Sequence, residues 1–487
     1  MDEPLAASAP PVGDMHPEAF RRAGHQVVDW LADFFAHPER FPVLAQVAPG
    51  DLVAALPSHA PEQGESFPEI FADFERLIVP GLTHWNHPGF FAYFAISGSG
   101  PGVLAEMLAA GLNVQAMLWR TSPAATELEE VALNWLRDLL HLPPEFEGVI
   151  YDTASVAVLH ALAAAREAAI PEVRARGLLG TPDSQRVRVY LSEHTHSSAD
   201  KSVILLGLGQ ESIRHIASDK MHAMRVDLLR AAIAEDRAAG VLPLAVIATI
   251  GTTSSTAVDP IDEIADVCAG EGIWLHVDAA YAGVMAMIPA WRQLFTGAER
   301  ADSFVVNPHK WLFTPFDCSV LYCRRMTVLR QAFSLVAEYL KTPEPAHVRN
   351  LMDTGVQLGR RFRALKLWMV LRYFGAEGIR ARLVHHVDLA RTFAGWVDDA
   401  PGWERLAPVP FSVVCFRHVP DGVDDEGALE QHNAAIMSAV NASGEAFLSH
   451  TKLNGRYVLR LAVGNIRTEE RHVRRAWELL TAAAESM

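Results

Sequence analysis

The chain has 487 residues, 50% hydrophobic and 21% charged, which is enough apolar material for a large core and, by length, for about three domain-sized units. Its 58 acidic residues outnumber 42 basic ones, for a net charge of −16 without any basic run, which argues against nucleic acid or an anionic membrane surface as a partner. The four cysteines, Cys268, Cys318, Cys323 and Cys415, form no CxxC pair, so we expect reduced thiols, a cytoplasmic setting and no zinc or other metal site.

Residues 1–14 read as a disordered leader, and Asp2 and Glu3 stand where a signal peptide would carry positive charge. Helical periodicity then begins. Phe20, Val27, Val28, Leu31, Phe34 and Phe35 recur at spacings of three, four and seven, and a second amphipathic stretch, Ile70 to Val79, ends at Pro80-Gly81. Residues 15–90 are thus expected to be helices joined by extended segments. Their apolar stripes have no sheet of their own to cover, which points to a partner subunit.

Residues 91–375 alternate short β-branched runs with helical segments. The expected strands are Gly148–Tyr151, Val187–Ser192, Leu244–Thr249, Ile273–Val277, Ser303–Val306 and Ser319–Tyr322, with helices such as Ala154–Ile170 and Val226–Ala239 between them. That alternation predicts an α/β fold, a mostly parallel sheet with helices on both faces, whose ligands sit at the carboxyl ends of strands. The longest apolar run, Leu242 to Ile250, is too short to span a bilayer. After Gly375-Ala376-Glu377-Gly378 a smaller α+β unit, 376–487, is expected, with helices over 380–398, 424–442 and 468–485 and strands near Phe411–Phe416 and Tyr457–Val463.

The chemistry concentrates just after the candidate strands. Lys310, in Asn307-Pro308-His309-Lys310-Trp311, follows an apolar strand, so burial should depress its pKa and make the amine nucleophilic. Asp278 ends another apolar strand, where a carboxylate can hold a proton on a pyridine nitrogen or simply cap a helix. A lysine that forms a Schiff base and an aspartate that keeps a ring cationic are the two groups that pyridoxal 5′-phosphate (PLP) requires of a protein. Asp152-Thr153-Ala154-Ser155 follows a strand and opens a helix. It suits a phosphate, or an ordinary capping box, with Asn307 and His309 as further phosphate contributors. Ser192-Glu193-His194-Thr195-His196-Ser197-Ser198 puts two histidines on a strand-end loop, without a third metal ligand nearby. Either imidazole could stack on a cofactor ring, and spacing does not choose between them.

Taken in order, Asn-Pro-His-Lys-Trp, His276-Val277-Asp278-Ala279-Ala280-Tyr281-Ala282-Gly283, Ile250-Gly251-Thr252-Thr253 and Thr121-Ser122-Pro123-Ala124-Ala125-Thr126-Glu127-Leu128-Glu129 resemble the group II PLP-dependent decarboxylases, in their aromatic-L-amino-acid decarboxylase branch (DOPA, tryptophan and tyrosine decarboxylases). Phe20–Trp30, His84-Trp85-Asn86-His87-Pro88 and Gly359-Arg360-Arg361-Phe362-Arg363 fit as well, so the likeness runs over roughly residues 15–485. It implies fold type I of PLP enzymes in a homodimer with shared active sites, and decarboxylation of tryptophan, DOPA, tyrosine or phenylalanine to the arylalkylamine and carbon dioxide. It puts the Schiff base on Lys310, the pyridine partner at Asp278, Ala280 against the ring, His196 as the stacking histidine and His194 as a bystander. Thr253 and Asp259 would lie near the cofactor, and Thr153, Ala154 and Ser155, with Asn307 and His309, would hold the phosphate. Tyr339, in Glu338-Tyr339-Leu340-Lys341, matches the tyrosine of the family's catalytic loop and would return a proton to Cα. Related aldehyde synthases carry Phe there. Trp85, Tyr93, Phe94, Met117 and Trp119 would wall the substrate pocket, partly from the second subunit. Gly359 falls where plant relatives with Gly accept indoles.

Two departures stand out. The phosphate loop has Asp152 and Val156 where the family has Gly and an acid, so we expect the Asp152 side chain to cap the following helix or face away. Tyr93-Phe94-Ala95-Ile96 replaces Tyr-Phe-Pro near the substrate. The alternatives are an aromatic aldehyde synthase or a non-aromatic amino-acid decarboxylase of the same fold, and, in another class, a non-catalytic PLP-binding scaffold.

Overall fold

A computed structural model describes residues 13–170, 172–178, 186–335 and 348–487. Tyr339 and its neighbours, and most of the expected leader, lie outside the described residues.

The larger sheet has seven strands: β1 (Glu147–Tyr151), β2 (Val187–Ser192), β3 (Ile213–Ile216), β4 (Leu242–Thr249), β5 (Trp274–Asp278), β6 (Ser303–Val306) and β7 (Ser319–Cys323). Their spatial order is β1-β7-β6-β5-β4-β2-β3. Neighbours pair in parallel from β6 through to β3, and β7 runs antiparallel to both β6 and β1. The reversal is local in origin. A parallel partner for β6 would need a crossover helix, but the connection from β6 to β7, residues 307–318, holds only the single helical turn Pro308–Trp311 that carries Lys310. All six expected strands form within a residue or two of their predicted limits. β3 was not expected: it reads Ile-Arg-His-Ile, sits at the sheet edge and is only partly buried, so it lacks the apolar run of a central strand.

Helices cover both faces. The helix Ala154–Ala169 packs its alanine-rich side on one face with Val189, Ile247 and Leu321, and a second cluster built on Val246, Leu275, Phe304 and Trp311 fills the other. The smaller sheet is fully antiparallel, in the order β10 (Ser449–Leu453), β11 (Arg456–Ala462), β9 (Val413–His418), β8 (Trp403–Arg405). β8 and β10 are short or polar (Ser-His-Thr-Lys-Leu) and carry no alternating apolar signal, so neither was expected. The helix expected over 380–398 begins earlier. Helical residues run from Ala364 to Asp399, broken at Gly375, whose φ of 62° suits glycine.

The N-terminal helix Pro17–Ala36 starts with Pro17 behind a His16 cap and buries Phe34, but leaves Phe20 and Val28 exposed. With Leu104 and Met107 of the helix Gly100–Leu112 they line an apolar groove. The stretch Ile70–Val79 forms the helix Phe67–Asp73, closed by a Ser66–Glu69 capping box, then a wide turn to Ile78 and a tight one over Val79–Gly81.

The segment 84–98 fastens the two sheets together. Phe91 N–H donates to Phe447 O (2.9 Å), Ala462 N–H donates to Phe91 O (2.9 Å), and Asn465 Nδ2 donates to Trp85 O and His87 O (3.1 Å each). Gly102 abuts Pro315, in the same turn region as Lys310, so closely that a Cβ would run into the proline ring. Gly102→Val should therefore destabilise the protein by about 1–3 kcal/mol, as overpacking does. An unchanged melting temperature would contradict this packing.

Candidate active site

The strands of the larger sheet deliver their carboxyl ends to one cavity of about 500 Å³. Its walls include Lys310 and His309 from the β6–β7 turn, His196 after β2, Thr253 and Ser254 after β4, and Trp85, Tyr93, Phe94 and Ile96 from the 84–98 segment. Ser449, His450, Thr451 and Arg460 of the β10–β11 hairpin close the remaining side.

Lys310 sits in a single helical turn, Pro308–Trp311. Desolvation holds its pKa below that of a free lysine, Asp278 pulls it back up and Arg460 adds to the depression. Among the described residues no carboxylate forms a salt bridge with it. Its Nζ stands 5.2 Å from the Phe94 ring centroid. Behind Lys310 runs a column of rings. Phe94 stacks on Tyr281 (3.8 Å), Tyr281 on Trp311 (4.6 Å), and Trp311 donates its Nε1–H to His386 Nδ1 (2.9 Å). Trp311 is fully buried, so the residue after the lysine anchors the turn in the core.

Asp278 ends β5, next to β6. Its Oδ1 accepts the Ala280 N–H (3.0 Å), and Ala280 O accepts the Asn307 N–H (3.0 Å), which ties the aspartate turn to the lysine turn. Asn307 is buried and its Oδ1 accepts from Ser319 Oγ (2.6 Å).

The histidines differ in what their nitrogens do. Ser198 N–H donates to His196 Nδ1 (3.1 Å), so the neutral ring carries its proton on Nε2. Burial lowers the His196 pKa, against the attraction of Asp278. Cys318 N–H likewise donates to His309 Nδ1 (2.8 Å), and burial together with the Lys310 charge pushes His309 down to about 3. His194 turns away, with Nε2 against Ser218 Oγ (3.1 Å) and its ring edge-on to His222.

At the end of β1, Thr153 caps the helix Ala154–Ala169 without a side-chain hydrogen bond to it. Asp152 does not cap the helix either: its Oδ1 takes the Thr153 N–H (2.8 Å) and its Oδ2 accepts from Gln357 Nε2 (3.3 Å). Of the two outcomes expected for Asp152, its carboxylate is occupied beside the helix end and not on it. Among the described residues, the first helical amides, on Ala154, Ser155 and Val156, have no side-chain acceptor, which fits a phosphate.

The residue that sequence reasoning missed is Arg460. It is buried in the cavity wall, donates through Nε to Ser254 O (3.0 Å) and through Nη1 to Tyr93 O (2.5 Å), and lies over Phe94 at 4.8 Å. Its Nη2 is buried with no partner among the described residues. In Tyr-Val-Leu-Arg-Leu-Ala it reads as one polar position of an ordinary strand, and only the tertiary fold brings it to Lys310. It also restrains Tyr93, whose φ of 50° is in the left-handed region, where a non-glycine residue is strained.

Not every expected residue reaches this cavity: Asp278, Ala280, Asn307 and Thr153, Ala154 and Ser155 are not among its lining residues. Met117, Trp119 and Gly359 lie apart from it in the same chain. Met117 O accepts the Met352 N–H (3.0 Å), Trp119 Nε1 donates to Glu127 (2.7 Å) and Gly359 lies beside Gln115. Asp259 is also outside, its two oxygens accepting the backbone N–H groups of Met224 (2.7 Å) and Thr249 (2.8 Å), while burial raises its pKa to about 6.

The cavity therefore offers a depressed lysine amine, a neutral imidazole and a buried guanidinium, and the same sheet edge adds a strand-end carboxylate and an uncapped helix end. These groups match an aldehyde-bearing, phosphorylated pyridine. The family described as the pyridoxal-dependent decarboxylase conserved domain matches residues 49–419. Tryptophan decarboxylase 2 of Oryza sativa subsp. japonica is 42% identical over 96% of this chain and 94% of its own length. Phenylacetaldehyde synthase of Arabidopsis thaliana is 42% identical over 96% of both chains. The crystal structure of Oryza sativa TDC with PLP and tryptamine superposes with a TM-score of 0.94 at 36% identity, over 98% of this chain and 99% of that one.

Nitrogen-15 NMR of the ligand-free protein at neutral pH should show His196 as the Nε2–H tautomer, and its titration should fall below that of a free histidine. An Nδ1–H ring would contradict the geometry.

Proposed function

The chain belongs to the pyridoxal-dependent decarboxylase family, and we propose from that premise that it converts an aromatic L-amino acid to its arylalkylamine and carbon dioxide. The observation that supports the site assignment most is that Lys310 and His196 line one cavity with an aromatic wall, and that Asp278, at the end of the strand beside the lysine turn, acts electrostatically on both.

Bound there, PLP supplies an electron sink for the pair released when the Cα–carboxylate bond breaks. Each residue has its own part. Lys310, depressed by burial, reaches the neutral amine form that adds to an aldehyde at lower pH than a surface lysine does. Asp278, its orientation fixed by the Ala280 amide, would hold a proton on the pyridine nitrogen. His196 presents a neutral ring with Nε2–H outward, and Ala280 and Thr253 complete the surround of the ring. The free amides of Ala154 and Ser155, with Thr153, Asn307 and His309, would hold the phosphate. Trp85, Tyr93 and Phe94 orient the substrate's ring, and Arg460 offers its unpartnered Nη2 to the substrate carboxylate. Tyr339 returns the proton to Cα.

We read residues 15–90 as the dimerisation segment, 91–375 as the cofactor domain and 376–487 as the small domain. A homodimer would cover the groove between the helices Pro17–Ala36 and Gly100–Leu112. It would also give Met117, Trp119 and Gly359, which stand apart from their own chain's cavity, a place at the partner's. Four buried, unpaired cysteines suit a cytoplasmic protein.

A second reading has equal sequence support, since a phenylacetaldehyde synthase is as similar as a tryptophan decarboxylase. Tyr339 favours the amine product. Purified, PLP-loaded protein offered tryptophan, DOPA, tyrosine, phenylalanine and glutamate should release amine and carbon dioxide in equal amounts from at least one aromatic acid. Aldehyde and peroxide from the unaltered protein would overturn the assignment. Tyr339→Phe should shift output from amine to aldehyde, and unchanged amine output would remove Tyr339 from the proton transfer. Arg460→Lys keeps the charge but loses the planar fork, so kcat/KM should fall about tenfold or more, chiefly through KM. An unaltered KM would exclude Arg460 from substrate capture.

A further inference from the structure

We propose that residues 354–360 form a strap across the end of β1, and that the buried Glu129–Arg360 pair is its clasp, a positioning device for the cofactor-phosphate cradle. The proposal rests on the reading of Thr153–Ser155 as that cradle.

β1 lies at the edge of the larger sheet, so one side of its backbone has no strand partner. At Ile150 side chains take that place. Glu129 Oε1 accepts the Ile150 N–H (2.9 Å), and Arg360 Nη2 donates to Ile150 O (2.7 Å). Arg360 also meets both oxygens of Glu129 (2.8 and 3.2 Å), and both residues are almost fully buried. A planar guanidinium that serves a carboxylate and a carbonyl together fixes direction as well as distance. The residue so bracketed stands three positions before Thr153, the cap of the uncapped helix end.

The strap continues the hold residue by residue. Tyr151 donates its hydroxyl to Thr354 O. Gly355 passes so near the first turns of the helix Ala154–Ala169 that a Cβ on it would stand 2.8 Å from the His160 ring. Val356 N–H donates to His160 Nε2 (3.3 Å), and Gln357 Nε2 engages Asp152 Oδ2 (3.3 Å). Asp152, whose charge would repel a phosphate, is thereby held to one side of the helix end.

The clasp also holds a second piece. Arg360 N–H donates to Gln115 Oε1 (2.6 Å), and Arg360 O accepts the Ala116 N–H (3.0 Å), at the start of the Met117–Trp119 turn. One arginine therefore fixes the helix end that meets the phosphate and the aromatic turn expected to serve the partner's cavity. No atom of Glu129 or Arg360 lines the cavity itself.

The test compares apoprotein affinity for PLP with that for pyridoxal, which lacks the phosphate. In Glu129→Gln the Kd for PLP should rise about tenfold or more while that for pyridoxal changes less than about twofold, the scale at which supporting contacts tune a ligand site. Equal weakening of both, or no change in either, would overturn the proposal. If that variant does not fold, Arg360→Lys carries the same comparison. Ala154→Pro, which removes a cradle amide at a first helical position that tolerates proline, serves as the control for the cradle. If the control leaves the PLP-to-pyridoxal ratio unchanged, the cradle reading itself fails. If it shifts the ratio and Glu129→Gln does not, the clasp alone is refuted.

Discussion

Two cations, the partly buried Lys310 and the buried Arg460, face one cavity, and Asp278 is the carboxylate whose field reaches the lysine. Burying charge without a partner is costly, and the fold meets that cost in two ways. Desolvation drives the Lys310 amine toward its neutral form, and Arg460 is retained as a charge by hydrogen bonds to Ser254 O and Tyr93 O with one nitrogen left over. The surplus of positive charge suits anionic ligands, a phosphorylated cofactor and an amino acid's carboxylate. The aromatic column behind Lys310 fixes where that charge sits, because Trp311, Tyr281 and Phe94 leave the lysine turn no room to shift.

The same economy explains the supporting architecture. Parallel strands β5 and β6 put Asp278 and the lysine turn side by side, and the Ala280–Asn307 hydrogen bond couples them. On the far side of the sheet β1 has an open edge, and Glu129 and Arg360 satisfy it with side chains where a further strand would otherwise pair. Removing one member of such a buried pair typically costs about 3–5 kcal/mol. That penalty makes the pair a rigid fixture and suits it to hold the end of β1 in place.

How much of this was legible in the sequence follows from the range of each interaction. Lys310, Asp278 and Thr153–Ser155 stand at or immediately after strand ends, so local pattern was sufficient to find them, whereas His196 was chosen over His194 only through the family likeness. Arg460 was invisible because it occupies an ordinary strand position, and its meaning comes from a contact with Tyr93 across most of the chain. The edge strand β3 and the polar strand β10 escaped because exposure removes the apolar alternation that marks a buried strand. Met117, Trp119 and Gly359 were expected at the cavity from family likeness, and in one chain they stand elsewhere. The role of Asp152 was open in sequence because its second partner, Gln357, is brought to it only by tertiary packing.

The central claim is that Lys310 is the residue that binds the cofactor covalently in this cavity. Borohydride reduction of the PLP-loaded protein, followed by peptide mass spectrometry, tests it most directly. The account predicts a stable pyridoxyl mass on the peptide containing Asn307-Pro308-His309-Lys310-Trp311, at Lys310. A label on another lysine such as Lys201 or Lys366, or no label on a protein that retains the cofactor, would contradict it.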